Sequence, residues 1–113
     1  MKKPMVTFNY TEEFLRQAKR LAKRYRSFPD DIDRLQRELK ENPDAGVSLG
    51  NGLHKIRVAV ASKGKGKKGG LRAITLNVVV EVNHTQINLL TIYDKKDYPN
   101  VSEAYIDEII RNL

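Results

Sequence analysis

The chain has 113 residues, 40% of them hydrophobic and 31% charged, and its formal net charge of +7 suits one basic domain with a single modest core. The absence of cysteine excludes disulfides and thiolate chemistry, and two histidines are too few for a common zinc site without added carboxylates. Because no apolar run approaches the roughly 18 residues of a membrane span and no signal-peptide pattern is present, we expect one cytoplasmic domain over residues 1–113, without a metal or cofactor.

The first half of the chain predicts a strand followed by a helical hairpin. Alternating side chains in PMVTFNY predict the strand, and Thr11 is a helix N-cap residue with two glutamates behind it. Apolar residues then recur at helical spacing, while arginines and lysines occupy the remaining face. The stretch SFPDD predicts a second helix that begins at Ser27 and ends at the Asn-Pro pair of residues 42–43.

The second half predicts a sheet and a short final helix. In LHKIRVAV the period changes to two, so Ile56 and Val58 share one strand face while Lys55 and Arg57 share the other. RAITLNVVVEV and HTQINLLTIY predict two further strands joined by a turn over residues 82–85, and Ser102 is the N-cap of the last helix. The order β-α-α-β-β-β-α predicts an α+β domain, with a helical hairpin packed on a small, mostly antiparallel sheet.

Positive charge is densest in the middle of the chain, where SKGKGKKGGLR, residues 62–72, holds four lysines, one arginine and four glycines. GKGKKG matches a dinucleotide-binding fingerprint letter for letter, but that fingerprint needs a helix to begin at the loop, and here a strand follows. The stretch also lacks the Gly-Lys-Ser/Thr ending of a P-loop. We interpret it as a flexible basic hairpin whose lysines follow a phosphate chain without reading its sequence.

The stretch GLHKIRVAVASKGKGKKGGLRAI, followed by LLTIYDKKD, resembles the RelE/ParE superfamily of type II toxins, most closely its HigB-like branch. That branch has a Gly-Leu-Arg-Lys-Ile-Arg strand, a Gly-Lys-Gly-Lys-Arg-Gly-Gly loop, an arginine opening the next strand, and Leu-Leu-x-x-Tyr-x-Lys. Residues 52–57 match the first element except at His54, residues 63–70 match the loop, Arg72 matches the arginine and residues 89–95 match the last element. The motifs lie within residues 50–97.

The resemblance implies a RelE-like microbial ribonuclease fold and an endoribonuclease that cuts mRNA in the ribosomal A site and is inhibited by a cognate antitoxin protein. In this family a ribose 2′-hydroxyl attacks the adjacent phosphate without a metal, and basic side chains stabilise the developing charge. The resemblance assigns phosphate and transition-state contacts to Arg57 and Arg72, and proton transfer or charge stabilisation to Lys55 and Lys95. It assigns RNA binding to five further residues: Lys63, Lys65, Lys67, Lys68 and Tyr93.

Two other interpretations stay open. ParE-type members of the same fold inhibit DNA gyrase as binding proteins, and a basic nucleic-acid-binding module without enzymatic activity would show the same charge pattern. In the second case Lys55 and Arg57 form an ordinary solvated sheet face. The four basic residues assigned to catalysis favour the nuclease, because gyrase inhibition has no evident need of them. Tyr93 either stacks on a base or packs within the domain.

Overall fold

The computed structural model of the chain describes residues 4–64 and 70–113. Within these ranges the elements are β1 (Met5–Tyr10), α1 (Glu12–Arg24), α2 (Phe28–Glu41), β2 (Val47–Gly50), β3 (Leu53–Val58), β4 (Leu71–Glu81), β5 (His84–Asp94) and α3 (Glu103–Arg111). A short 3-10 helix, Ala61–Lys63, follows β3. The predicted α+β class and the predicted C-terminal helix are confirmed. None of the helices in the described ranges combines the length and apolar character that a membrane crossing requires.

The strands form one mixed sheet in the order β1-β5-β4-β3-β2. β1 runs parallel to β5 and the other neighbouring pairs are antiparallel, so the sheet is mostly antiparallel, as predicted. The sequence analysis missed β2, whose four residues, VSLG, are all exposed and give no alternating pattern. The turn that pairs it with β3 contains Asn51 and Gly52, both with positive φ. An Asn-Gly pair is a strong hairpin signal and would have identified this strand.

Local side-chain hydrogen bonds explain where two of the helices begin. The Thr11 hydroxyl accepts a hydrogen bond of 3.0 Å from the backbone N–H of Phe14, and Ser102 Oγ accepts one of 3.1 Å from Tyr105 N–H. Ser27 occupies the N-cap position of α2 but does not cap its backbone. Its hydroxyl instead donates to Asp31 at 2.7 Å and accepts the backbone N–H of Ser62 at 2.9 Å, so it links the start of α2 to the chain after β3.

Apolar residues pack on both faces of the sheet. On the hairpin face, α1 and α2 bury the larger core, which includes Phe14, Leu39 and Ile56. On the opposite face, which we call the α3 face, Ile74 and other buried side chains pack beneath α3. Because β3 turns its apolar residues toward the hairpin face, its intervening basic residues lie on the α3 face.

The turn between β4 and β5 is tighter than predicted. It consists of Val82 and Asn83, and Asn83 has a φ of 63°. His84 therefore opens β5 instead of lying in the turn, and its Nε2 is 2.9 Å from the Thr7 hydroxyl on β1. A two-residue turn with an asparagine in the left-handed region matches the twist of the strands it joins, which explains why the ladder extends further than the sequence suggested.

Candidate nucleic-acid interface

Strand register brings three of the predicted site residues side by side. Arg57 on β3 is the direct partner of Arg72 on β4, and Arg72 is the direct partner of Tyr93 on β5. We call these three residues the arginine row. They lie side by side on the three central strands, on the α3 face and near one end of the sheet. Lys55 shares this face and lies two residues before Arg57, opposite Ile74. Four residues chosen from three motifs therefore meet on one surface.

Arg72 is a buried cation, with only 6% of its surface exposed. Its Nη1 donates a hydrogen bond of 3.2 Å to the backbone oxygen of Leu71, and no carboxylate of residues 4–64 or 70–113 lies within ion-pair distance. Burying a charge without an opposite charge costs free energy. The arrangement is suited to a ligand that brings its own negative charge, such as a phosphate.

Tyr93 packs its ring in the core beneath α3, with 4% of its surface exposed. Its hydroxyl is buried and has no hydrogen-bond partner among the described residues. Burial raises the pKa of this phenol above its usual value, although the neighbouring Arg72 acts in the opposite direction. The hydroxyl thus stays protonated at neutral pH and is an unused hydrogen-bond donor within the arginine row.

Arg57 and Lys55 differ in their partners. Arg57 is exposed and has no side-chain partner in the part of the chain that the structure describes. Lys55 donates a hydrogen bond of 3.1 Å from Nζ to Asn100 Oδ1, and the same oxygen accepts the backbone N–H of Val101 at 3.0 Å. The segment between β5 and α3 therefore holds the Lys55 ammonium in place, whereas the Arg57 guanidinium is free to meet a ligand.

A groove of about 420 Å³ runs beside Tyr93, between α1 and the segment that leads into α3. Tyr98, which is 46% exposed, and Asn100 form part of one wall, and Arg20 of α1 lies on the other. The sequence analysis did not select Tyr98 or Asn100. No motif signals them, because their relation to the arginine row depends on how the chain folds back after β5.

Of the remaining predicted residues, Lys63 and Lys95 are described, and neither belongs to the row. Lys63 is on the hairpin side, where its Nζ is 3.8 Å from Asp94 Oδ1 and 5.2 Å from the centre of the Tyr25 ring. Lys95 is exposed just beyond the end of β5. Three predicted RNA-binding lysines, Lys65, Lys67 and Lys68, lie outside the described residues.

The strongest feature of the interface is thus the arginine row with Lys55 beside it, because none of these three cations pairs with a carboxylate of the described residues. Such a surface can bind a phosphodiester through charge and oriented donors. No protein-family model matches the chain, and no curated protein sequence matches it.

Proposed function

We propose that this protein is a type II toxin similar to the HigB-like branch of the RelE/ParE superfamily, and that it cleaves mRNA in the ribosomal A site. The observation that carries the proposal is the arginine row: a buried Arg72 without a described carboxylate, flanked in register by Arg57 and the unpartnered Tyr93 hydroxyl. An RNA phosphate supplies the charge and the acceptors that these groups lack.

The reaction needs stabilisation of negative charge more than it needs a nucleophile from the protein. The ribose 2′-oxygen attacks the adjacent phosphorus and loses its proton, the bond from phosphorus to the 5′-oxygen breaks, and that oxygen takes up a proton. The products are a 2′,3′-cyclic phosphate and a 5′-hydroxyl. Arg57 and Arg72 contact the non-bridging oxygens, where charge grows in the transition state. Lys55 and Lys95 serve proton transfer or further charge stabilisation.

Lys55 is the better placed of the two lysines. It lies on the same strand and face as Arg57, and its bond to Asn100 fixes its ammonium relative to the groove. The groove beside Tyr93 gives the RNA a path away from the reacting phosphate, with Tyr98 and Arg20 on its walls. Lys65, Lys67 and Lys68 of the loop over residues 62–72 contact the RNA backbone without sequence preference.

The proposal also implies partners. A cognate antitoxin neutralises the toxin by presenting acidic residues or by covering the arginine row, because a cationic site without its own carboxylates attracts an acidic partner. The ribosome supplies the mRNA in an extended form. Both partners place the protein in the cytoplasm.

The test is cleavage of mRNA on programmed ribosomes by the purified protein in the presence of EDTA, alongside a gyrase supercoiling assay. We expect cleavage within the A-site codon, fragments ending in 2′,3′-cyclic phosphate, and no effect on gyrase. Inhibition of gyrase without mRNA cleavage would support a ParE-type activity instead. RNA binding with neither activity would support a non-enzymatic module.

A further inference from the structure

The base of the basic loop is held on the side of the sheet away from the arginine row. Asp94, the last residue of β5, is 2% exposed, and its carboxylate accepts a hydrogen bond from the Tyr25 hydroxyl. It also accepts one from Arg24 Nη1 at 3.2 Å, and Lys63 Nζ lies 3.8 Å away. We call these four residues the Asp94 cluster. They join the end of α1, the end of β5 and the residue from which the loop departs.

The groups around Asp94 favour the charged form of its carboxylate. Burial alone would raise the pKa of Asp94, but the Tyr25 hydroxyl, the backbone N–H of Lys96 and the charges of Lys63 and Arg24 together lower it below its usual value. A buried anion surrounded by donors from three segments fixes their relative positions, because moving any one of them leaves charge unpaired.

The two stems of the loop are both constrained at this point. On the outgoing stem, Ser62 N–H donates to Ser27 Oγ at 2.9 Å, and Ala61 N–H donates to the buried carboxylate of Asp31 at 3.2 Å. On the returning stem, Gly70 approaches the β3 backbone so closely that an added Cβ would lie 2.0 Å from Val58 O. Only glycine fits this approach.

Asp94 also lies directly between two predicted site residues. Tyr93 precedes it on the α3 face and Lys95 follows it, and the Asp94 backbone oxygen accepts the N–H groups of Asp97 at 2.9 Å and Tyr98 at 3.1 Å. Its carboxylate additionally accepts the N–H of Lys96 at 3.0 Å. The residue that holds the loop therefore also shapes the turn that places Lys95 and Tyr98.

We infer that Asp94 is a positioning residue: it acts through Lys63 and the turn after β5 to set the loop base and the β5 end relative to the arginine row. This inference rests on the proposed nuclease function. It assigns Lys63 a different role from its neighbours in the loop. Its ammonium holds the loop base through Asp94 and Tyr25, rather than contacting RNA phosphates.

The test compares Asp94→Asn with Asp97→Asn. Asp97 is a matched control, because it pairs with the same Arg24 Nη1, at 2.6 Å, but the structure gives it no contact with Lys63 or Tyr25. At saturating ribosomes and well below the unfolding temperature, we expect Asp94→Asn to slow cleavage between about 10- and 100-fold, since small displacements of reacting groups have effects of that size. Asp97→Asn should stay within about twofold of the parent on the same reasoning.

Two further measurements separate positioning from a loss of stability. Amide exchange should accelerate in Asp94→Asn at Lys63 and Gly64, while core amides of β5 keep their protection relative to global unfolding. Lys63→Met should add little to the cleavage defect of Asp94→Asn, because each substitution alone already removes the contact between Lys63 and Asp94.

The outcomes distinguish this inference from the proposed function. If the parent cleaves mRNA and Asp94→Asn cleaves as fast as Asp97→Asn, the inference is wrong and the nuclease assignment stands. If the parent shows no cleavage, the function fails on its own. In that event, exchange at Lys63 that is unchanged by Asp94→Asn would also contradict the proposed anchoring of the loop.

Discussion

The two faces of the sheet differ in whether their buried charged groups have partners within the fold. On the hairpin face, the buried carboxylates of Asp31 and Asp94 each have several donors, so their charge is matched within the fold. On the α3 face, Arg72 is also buried, but neither its guanidinium nor the Tyr93 hydroxyl has a carboxylate or other side-chain partner among the described residues. Removing one partner of a matched buried charge destabilises the fold, whereas a buried charge without a partner is typical of a site where a ligand completes it. The comparison therefore separates the part of the molecule that holds the fold from the part that meets a substrate.

The largest effect is expected for Arg72→Met, which removes the charge but leaves an unbranched side chain of similar length. We expect cleavage on programmed ribosomes to fall by about 10²–10³-fold, because an interaction made in the transition state is lost. The free energy of unfolding should stay the same or rise by about 1 kcal/mol, because an unpaired buried charge is removed. Chemical denaturation measures the second effect. A variant that lost several kcal/mol of stability would show that Arg72 holds the fold and is not reserved for a ligand.

Asp94→Asn gives the complementary result on the hairpin face. It should lower the free energy of unfolding by about 1–3 kcal/mol, because the partly buried donors of Tyr25 and Lys63 lose their charged acceptor. Tyr25→Phe should have a smaller effect of about 1 kcal/mol, since only one hydrogen bond is lost. Denaturation of both variants checks the order. Equal stability of Asp94→Asn and the parent would remove the contrast between the two faces.

The Asp94 cluster predicts how the free energy of unfolding depends on pH in the acid range. The pKa of Asp94 is lower in the folded chain than its ordinary value of 3.8, so its stabilisation is complete above that pH. It is lost as the pH falls below 3.8 toward the folded pKa, because the unfolded chain binds the proton first. Unfolding curves collected across this range should show a shallower pH dependence for Asp94→Asn than for the parent. Parallel curves would indicate that other carboxylates control acid unfolding.

The smallest expected effect concerns the lysines of the loop. Changing Lys65, Lys67 and Lys68 together to alanine should flatten the salt dependence of RNA binding by about 0.7 in slope per lost phosphate contact. Lys63→Ala should leave that slope unchanged, because Asp94 and Tyr25 already engage its ammonium. Binding titrations at several salt concentrations measure both slopes. If Lys63→Ala reduces the slope as much as any other single lysine, Lys63 contacts RNA as first expected from the motif.

Local patterns were sufficient for most of the fold but not for the site geometry. Helix starts at Thr11 and Ser102 follow from side chains that bond within the next turn, so the sequence predicts them directly. The arginine row could be predicted only as basic residues on strands, because its register depends on pairings between distant segments.

The same limit explains what the sequence did not show. The contact between Lys63 and Asp94 joins the base of the loop to the end of β5, 31 residues later in the chain. The alternation of side chains along one strand cannot predict such a contact. The burial of Arg72 was equally hidden, because Ile74, two residues later on the same face of β4, packs with residues of α3 from the end of the chain. Period-two counting gives the face of a residue but not whether another element covers it.

The role of the arginine row in cleavage is tested by single-turnover cleavage of mRNA on programmed ribosomes by Arg57→Ala, with Arg37→Ala as the control. Both arginines are exposed, so neither substitution should change stability by more than about 0.5 kcal/mol. Arg57 belongs to the arginine row, whereas Arg37 lies on α2 on the other side of the sheet. The account predicts a rate about 100-fold or more below the parent for Arg57→Ala and an unchanged rate for Arg37→Ala. Equal rates for the two variants would contradict it.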